Sequence, residues 1–246
     1  MSDPVLRTEA LTFAFGRHRV LSSVDLVVPR GKVYGFLGRN GAGKTTTLQL
    51  LLGILVPKSG KLHFAGRSVG RTTPAMKQRI GYVSQSQHFY DWMTVNRIGG
   101  FVAGFYPSWD AAAYQKLLQR LSLDPKQKVG TLSGGTKMKL AMALALATNP
   151  ELLILDEPTA GVDPIARREI LDLLRHVCDE DGRTVLFSTH HIGEVAEIGD
   201  VVGVLHDGEL VYQGPVADFV GFAREKTGAT LKDGDLERAF LAMVQR

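Results

Sequence analysis

The residues best suited to chemistry stand in one short run, Gly38-Arg39-Asn40-Gly41-Ala42-Gly43-Lys44-Thr45, which fits G-x-x-x-x-G-K-[ST] throughout. Glycines at these positions let a loop curl until its backbone N–H groups face inward, and such a concavity binds anions. Residues 33–38 (VYGFLG) before it are continuously apolar, and residues 46–52 after it read as a helix. That order sets the positive end of the helix against a bound phosphate. Lys44 is then placed for the β- and γ-phosphates of a nucleotide, and the Thr45 hydroxyl for Mg²⁺. Arg39, Asn40, Ala42 and Thr46 belong to the same loop and helix start.

A second run, residues 152–157 (LLILDE), ends an apolar strand in two acids. Open α/β sheets bind ligands at the carboxyl ends of their strands. Asp156 is expected to act on a Mg²⁺ shell, and Glu157 to polarise an attacking water. A third run, Leu132-Ser133-Gly134-Gly135-Thr136-Lys137, makes Ser133 a helix N-cap. The plain reading is a capped helix over 135–147, closed by Asn149-Pro150. The sharper one is that Ser133 and the Gly134 and Gly135 amides bind a γ-phosphate.

The elements that must position these groups alternate between strand and helix. Residues 33–38, 152–156 and 184–188 are apolar without alternation, as parallel strands covered on both faces should be. Residues 205–212 carry Asp207-Gly208 between apolar runs, a hairpin signal. The opening to about residue 28 and residues 61–85 look β-rich, and residues 89–150 mostly helical. The expectation is an α/β fold: a P-loop NTPase core, mostly parallel sheet flanked by helices, with an antiparallel β subdomain and a helical subdomain insert. Residues 1–217 would form this domain and residues 218–246 a short helical tail. The tail holds an amphipathic stretch at 233–245 with Leu236, Ala239, Phe240 and Val244 on one face.

The chain has 246 residues, 44% hydrophobic and 22% charged, which excludes disordered and collagen-like classes. No apolar run reaches the ~18 residues of a membrane span, and the first residues do not read as a secretory signal. A lone cysteine, Cys178, fits a reducing compartment. The net charge of +4 suits a phosphate ligand or an anionic surface and does not argue for nucleic acid.

The order GRNGAGKT, YVSQ, LSGGTKMKL, LILDEPTAGVDP and STHH resembles the nucleotide-binding subunit of ATP-binding cassette (ABC) transporters over roughly residues 5–215. The resemblance implies that Phe15 stacks on adenine and that Gln85 senses Mg²⁺ and links the core to the helical insert. It makes Glu157 the catalytic glutamate and His190 a γ-phosphate contact. Gln87 and His191 are the rival positions for Gln85 and His190. It assigns Asp163 to a loop that crosses to a second ATP-binding subunit. Ser133, Gly134 and Gly135 would complete that subunit's ATP site, in a head-to-tail pair of copies or close homologues. ATP and Mg²⁺ are the implied ligands, a separate transmembrane permease the implied partner, and no nucleic acid is expected. The chain would sit peripherally on the cytoplasmic face of the membrane, coupling ATP hydrolysis to transport, with a lean toward export. The alternative is a soluble ABC ATPase acting on nucleic acid or ribosomes. Thr136 stands where the family usually has glutamine, Phe15 replaces the commoner tyrosine, and Arg97 stands where many relatives have glutamate.

Aromatic residues crowd residues 89–109: Phe89, Tyr90, Trp92, Phe101, Phe105, Tyr106 and Trp109. They read either as the core of the helical insert or as a groove that receives the membrane partner.

Overall fold

Strands with apolar side chains on both faces need cover on both faces, and the architecture follows from that requirement. The computed structural model describes residues 3–69 and 73–245, so part of the expected β-rich stretch 61–85 lies outside it. Its strands are β1 (Leu6–Phe15), β2 (His18–Val24), β3 (Val27–Val28), β4 (Val33–Leu37), β5 (Ser59–Phe64) and β6 (Arg67–Val69). They continue with β7 (Ile80–Val83), β8 (Leu152–Asp156), β9 (Thr184–Thr189), β10 (Val201–His206) and β11 (Glu209–Pro215). The helices are α1 (Lys44–Leu51), α2 (Pro74–Lys77), α3 (Val95–Ala103), α4 (Ala111–Arg120) and α5 (Gly134–Ala147). After them come α6 (Pro164–Asp179), α7 (Ile192–Ile198), α8 (Phe219–Thr227) and α9 (Leu236–Val244).

The central sheet has the order β11-β10-β4-β9-β8-β7. All its pairings are parallel except β10 with β11, the hairpin. That hairpin turns at Asp207 and Gly208, both with positive φ (46° and 79°), as a tight hairpin turn requires. A second, antiparallel sheet runs β2-β1-β5-β6, with β3 also on β1.

The alternation of side chains divides the interior into two cores. Tyr34, Phe36, Leu152, Ile154 and Leu186 face α1 and the antiparallel sheet, in one cluster with Leu48 and Leu51. Val33, Leu37, Leu153, Leu155, Val185 and Phe187 face the other way, clustered with residues of α5, α6, α7, α8 and α9. Burial of each such side chain contributes about 1.5–3 kcal/mol before the entropy of ordering is counted.

Gln213 of β11 ties the sheets together: its Oε1 accepts from the Val27 amide and the Tyr34 hydroxyl, both at 2.8 Å. Burial pushes the Tyr34 phenol well above its ordinary pKa, so it stays a donor.

One element fills in the expected helical tail, and one differs from the sequence expectation. Residues 219–227 form α8, although Gly221 interrupts any local helix signal. Phe219 and Phe222 pack on the Tyr212 ring at 4.9 and 4.8 Å, so tertiary contact sets this helix. Residues 74–77 form the short helix α2, capped by Thr73, inside the stretch read as β-rich.

Gly203 of β10 sits under the buried Tyr34 ring, where a Cβ would lie 2.0 Å from the phenol oxygen. Gly203→Ala is expected to destabilise the chain by about 1–3 kcal/mol, the usual range for overpacking. Urea unfolding would show this as a lowered midpoint with an unchanged slope, and an unchanged midpoint would contradict the packing described.

Candidate active site

Four loops leave the carboxyl ends of β4, β7, β8 and β9 at the same edge of the sheet. The loop after β4 ends at Gly43, whose φ of +106° favours glycine, and a Cβ there would lie 2.7 Å from Leu21 Cδ2. Helix α1 therefore starts directly at Lys44. The Lys44 side chain is buried and folds back over its own loop. Its ammonium donates to the Gly38 carbonyl at 2.8 Å and the Arg39 carbonyl at 3.3 Å, and pairs with Glu157 Oε1 at 3.0 Å.

Parallel register brings the acids to this point. Asp156 of β8 pairs with Ser188 of β9, and Leu37 of β4 pairs with Thr189. Ser188 Oγ donates to Asp156 Oδ1 at 2.6 Å and accepts from the Glu157 amide at 3.0 Å. Glu157 itself has a left-handed backbone, φ +48°. That conformation costs on the order of 1 kcal/mol for a non-glycine residue and ends the strand at the acid pair. The Glu157 carboxylate then reaches Lys44 through Oε1 and His190 Nδ1 through Oε2, the latter at 2.6 Å.

A cavity of about 490 Å³ opens beside these groups, lined by Phe15, His18, Asn40, Gly41, Gly43, Lys44, Thr45, Thr46, Gln85 and Glu157 among others. Phe15 is exposed there and meets Phe13 edge-on at 4.8 Å. Gln87, the rival of Gln85, instead donates to the Ser84 carbonyl. His191 stacks on His190 at 3.9 Å; both histidines stand outside this lining and line a neighbouring cavity, and His190 is the one that contacts Glu157.

The remaining predicted residues gather elsewhere. Ser133 caps α5, accepting from the Thr136 amide at 3.2 Å, and its hydroxyl meets that of Thr136 at 2.8 Å. A Cβ on Gly135 would lie 3.2 Å from Val162 Cγ1 and 3.8 Å from Asp163 Oδ2, so the Ser133 loop adjoins the Asp163 loop. Asp163 caps α6, accepting from the Ile165 and Ala166 amides at 3.0 Å. The Ala166 amide first, and that of Ile165 with it, hold the Asp163 carboxyl below the usual carboxylate range. Neither loop lines the Lys44 cavity.

Two contributors were not singled out from the sequence. His18 lines the cavity as the cross-strand partner of Phe15. Ser188 couples Asp156 to the Glu157 backbone. Both follow from strand pairing, which local residue patterns do not reveal.

As a unit, the site presents a curled loop, the Lys44 ammonium and the Glu157 carboxylate to a cavity open at one side, while Asp156 is buried beside Glu157 and His190 holds the Glu157 carboxylate from outside the lining. Such a set binds a polyphosphate and can polarise a water beside it.

Comparison with known proteins gives the family. The sequence profile of the family described as "ABC transporter" matches residues 21–160. The bacitracin transport ATP-binding protein BcrA of Enterococcus faecalis is 34% identical over 239 residues, 96% of this chain and 78% of that protein. Nod factor export ATP-binding protein I of Ralstonia nicotianae is 35% identical, covering 87% of this chain and 68% of its own length. A solved ATP-binding subunit of an ABC transporter superposes with a TM-score of 0.84 at 25% identity, covering 97% of this chain and 99% of the other. With the phosphate loop, the acid pair and His190 arranged as described, the chain belongs to the ABC transporter family, as an ATP-binding ATPase subunit.

Proposed function

We propose that the chain binds Mg²⁺-ATP at the Lys44 loop and hydrolyses it between two head-to-tail subunits, driving movement of a separate membrane permease in the export direction. One observation carries the reading. Lys44, Thr45, Gln85 and Glu157 line one cavity, whereas the Ser133 loop adjoins Val162 and Asp163 and lines none of it. A second subunit, a copy or a close homologue, brings its own Ser133, Gly134, Gly135 and Asp163 to the Lys44 cavity. Each γ-phosphate is then clamped from both sides, and ATP holds the pair closed.

The donor set suits Mg²⁺. The Thr45 hydroxyl, the Asp156 carboxylate and the Gln85 amide oxygen are hard ligands. When bound, Mg²⁺ neutralises charge on the transferring phosphoryl group. Phe15 offers its exposed ring to the adenine. In hydrolysis the water oxygen bonds to the γ-phosphorus, the bond to the bridging oxygen breaks, and Glu157 takes the water proton. Lys44 and His190 offset the charge on the γ-phosphoryl oxygens.

Among the described residues no helix is long and apolar enough to cross a membrane. The chain works on the cytoplasmic face, held there by its permease. The aromatic residues favour a docking role over a core role. Tyr90, Trp92, Phe101 and Phe105 are exposed, Phe105 by 64%. Their rings adjoin in series: Trp92–Tyr90 at 6.1 Å, Tyr90–Phe101 at 5.8 Å and Phe101–Phe105 at 5.2 Å. The Arg97 guanidinium lies over Trp92 at 5.6 Å. Beside Phe105 a groove of about 600 Å³ is lined by Pro74, Lys77, Gln78, Val102 and Tyr106. Exposed aromatic clusters of this kind anchor protein interfaces. In this reading residues 1–217 are the ATP-binding domain, with its helical subdomain at about 89–150. Residues 218–246 are a packing tail. The relatives are transporter subunits, which favours this over the soluble alternative.

Lys44→Ala should weaken nucleotide binding and abolish turnover. Glu157→Gln should keep ATP binding and slow hydrolysis by ~10²-fold or more, the scale of a lost general base. Equilibrium binding beside phosphate release separates the two, and wild-type turnover in Glu157→Gln would overturn the assignment. Mixing Lys44→Ala chains with Ser133→Arg chains should restore activity that neither has alone. A shared site pairs the intact Lys44 of one chain with the intact Ser133 of the other, whereas a site built within one chain gives no recovery. Trp92→Ala combined with Phe105→Ala should lose co-purification with the permease while the isolated chain keeps its ATPase activity.

A further inference from the structure

Glu194, the third residue of α7, is a carboxylate only 1% exposed. The chemistry described so far does not use it. Its Oε1 accepts from the Thr159 hydroxyl at 2.7 Å and from Arg167 Nε at 3.2 Å, and its Oε2 accepts from the Thr189 hydroxyl at 2.7 Å. Thr189 also accepts from the His191 amide at 3.0 Å.

These partners are placed with respect to Glu157, which lines the cavity, and to His190, which contacts its carboxylate. Thr159 stands two residues after Glu157, on a turn closed by the Ala160 amide donating to the Glu157 carbonyl at 3.1 Å. Thr189 directly precedes His190. A closed circuit results. It runs from Glu157 along the chain to Thr159, across to Glu194, across to Thr189, along the chain to His190, and back to Glu157 through the 2.6 Å contact. Arg167 extends the circuit to the loop carrying Asp163, because its amide donates to the Asp163 carbonyl at 2.9 Å.

A buried carboxylate is a costly way to join three elements. Burial of an ion costs several kcal/mol, and well-packed apolar side chains stabilise as well or better. What the carboxylate supplies is direction, since two oxygens fix two hydroxyls and a guanidinium at set angles. We propose that Glu194 is a positioning residue for ATP hydrolysis. It joins the loop of Glu157 to the loop of His190 and sets the spacing of the two groups that act on the attacking water and the γ-phosphate. Glu194 touches neither the cavity lining nor the reacting atoms and acts through its two threonines. The inference rests on the active-site reading above.

The test uses the purified full chain with Mg²⁺-ATP. Glu194→Gln keeps the volume and removes the charge. Its kcat should fall about tenfold or more, the scale of a misplaced catalytic group. The KM for ATP should stay within about twofold, because the Lys44 loop that holds the nucleotide is untouched. The Tm should shift by less than about 4 °C, the equivalent of one lost interaction. In a His190→Ala background the same change should cost little further, since the two act as one unit. Thr189→Val should reproduce the loss of kcat, and Thr189→Ser, which restores the hydroxyl, should recover most of it. This pair decides the matter if Glu194→Gln does not fold. Wild-type kcat in both Glu194→Gln and Thr189→Val overturns the proposal. So does a loss that multiplies in full with that of His190→Ala, which would mark a general structural effect. Glu157→Gln run in parallel keeps the two readings apart. If it turns over like wild type, the active-site reading fails; if it is inactive while Glu194→Gln is normal, only the positioning role fails.

Discussion

The ion pair between the Lys44 ammonium and the Glu157 carboxylate joins loops that are remote in sequence. It can form only because β4, β9 and β8 lie side by side, parallel and in register. Leu37, Thr189 and Asp156 end their strands at one level, so the loops that follow open toward one point. A one-residue slip in any of these pairings would turn the side chains of that strand to the opposite face. The site would lose its geometry before the sheet lost its hydrogen bonds. The apolar density of the strands thus serves the site directly, because cover on both faces fixes the register.

The same constraint explains the division of labour between the cores. One face of the sheet carries α1 and the antiparallel sheet, so Phe15 and the phosphate loop share a rigid support. The other face carries α5, α6 and α7, so Ser133, Asp163 and His190 share a different one. Glu157 emerges between them. Its carboxylate reaches Lys44 on the first support and His190 on the second.

Much of this was legible in the sequence, and the boundary has physical causes. The phosphate loop, the acid pair, the Ser133 cap and the Asp207-Gly208 turn are local, set by residue type within a few positions. The three buried strands were legible because continuous apolar runs have few other uses. What escaped depended on contacts remote in sequence. Helix α8 falls within the expected helical tail, but its bounds depend on Phe219 and Phe222 against Tyr212, and Gly221 hides its periodicity. Ser188 gains its role from the Asp156 opposite it, a pairing that only the sheet defines. The aromatic run at 89–109 carried the right residues but could not show their side. The structure exposes Tyr90, Trp92, Phe101 and Phe105, while Trp109 packs against the buried Tyr114 at 5.1 Å.

The Lys44 contacts also bear on how binding and chemistry connect. An ammonium has three donors, and here three oxygens take them: the Gly38 and Arg39 carbonyls and the Glu157 carboxylate. The carbonyls belong to the loop itself and keep the side chain oriented. The carboxylate is the partner that an incoming phosphate oxygen can replace at no net change in charge pairing. His190 is held by the other oxygen of the same carboxylate, so a phosphate that engages both cations competes with Glu157 at both. Phosphate affinity at this site is therefore a difference between two ion-pair networks, smaller than a count of its contacts would suggest. In the proposed reaction the exchange also frees the Glu157 carboxylate from its cations as the phosphoryl group arrives. One exchange of partners in that reaction binds the phosphate and releases the carboxylate assigned to the water, and both steps pass through the single residue at the turn after β8.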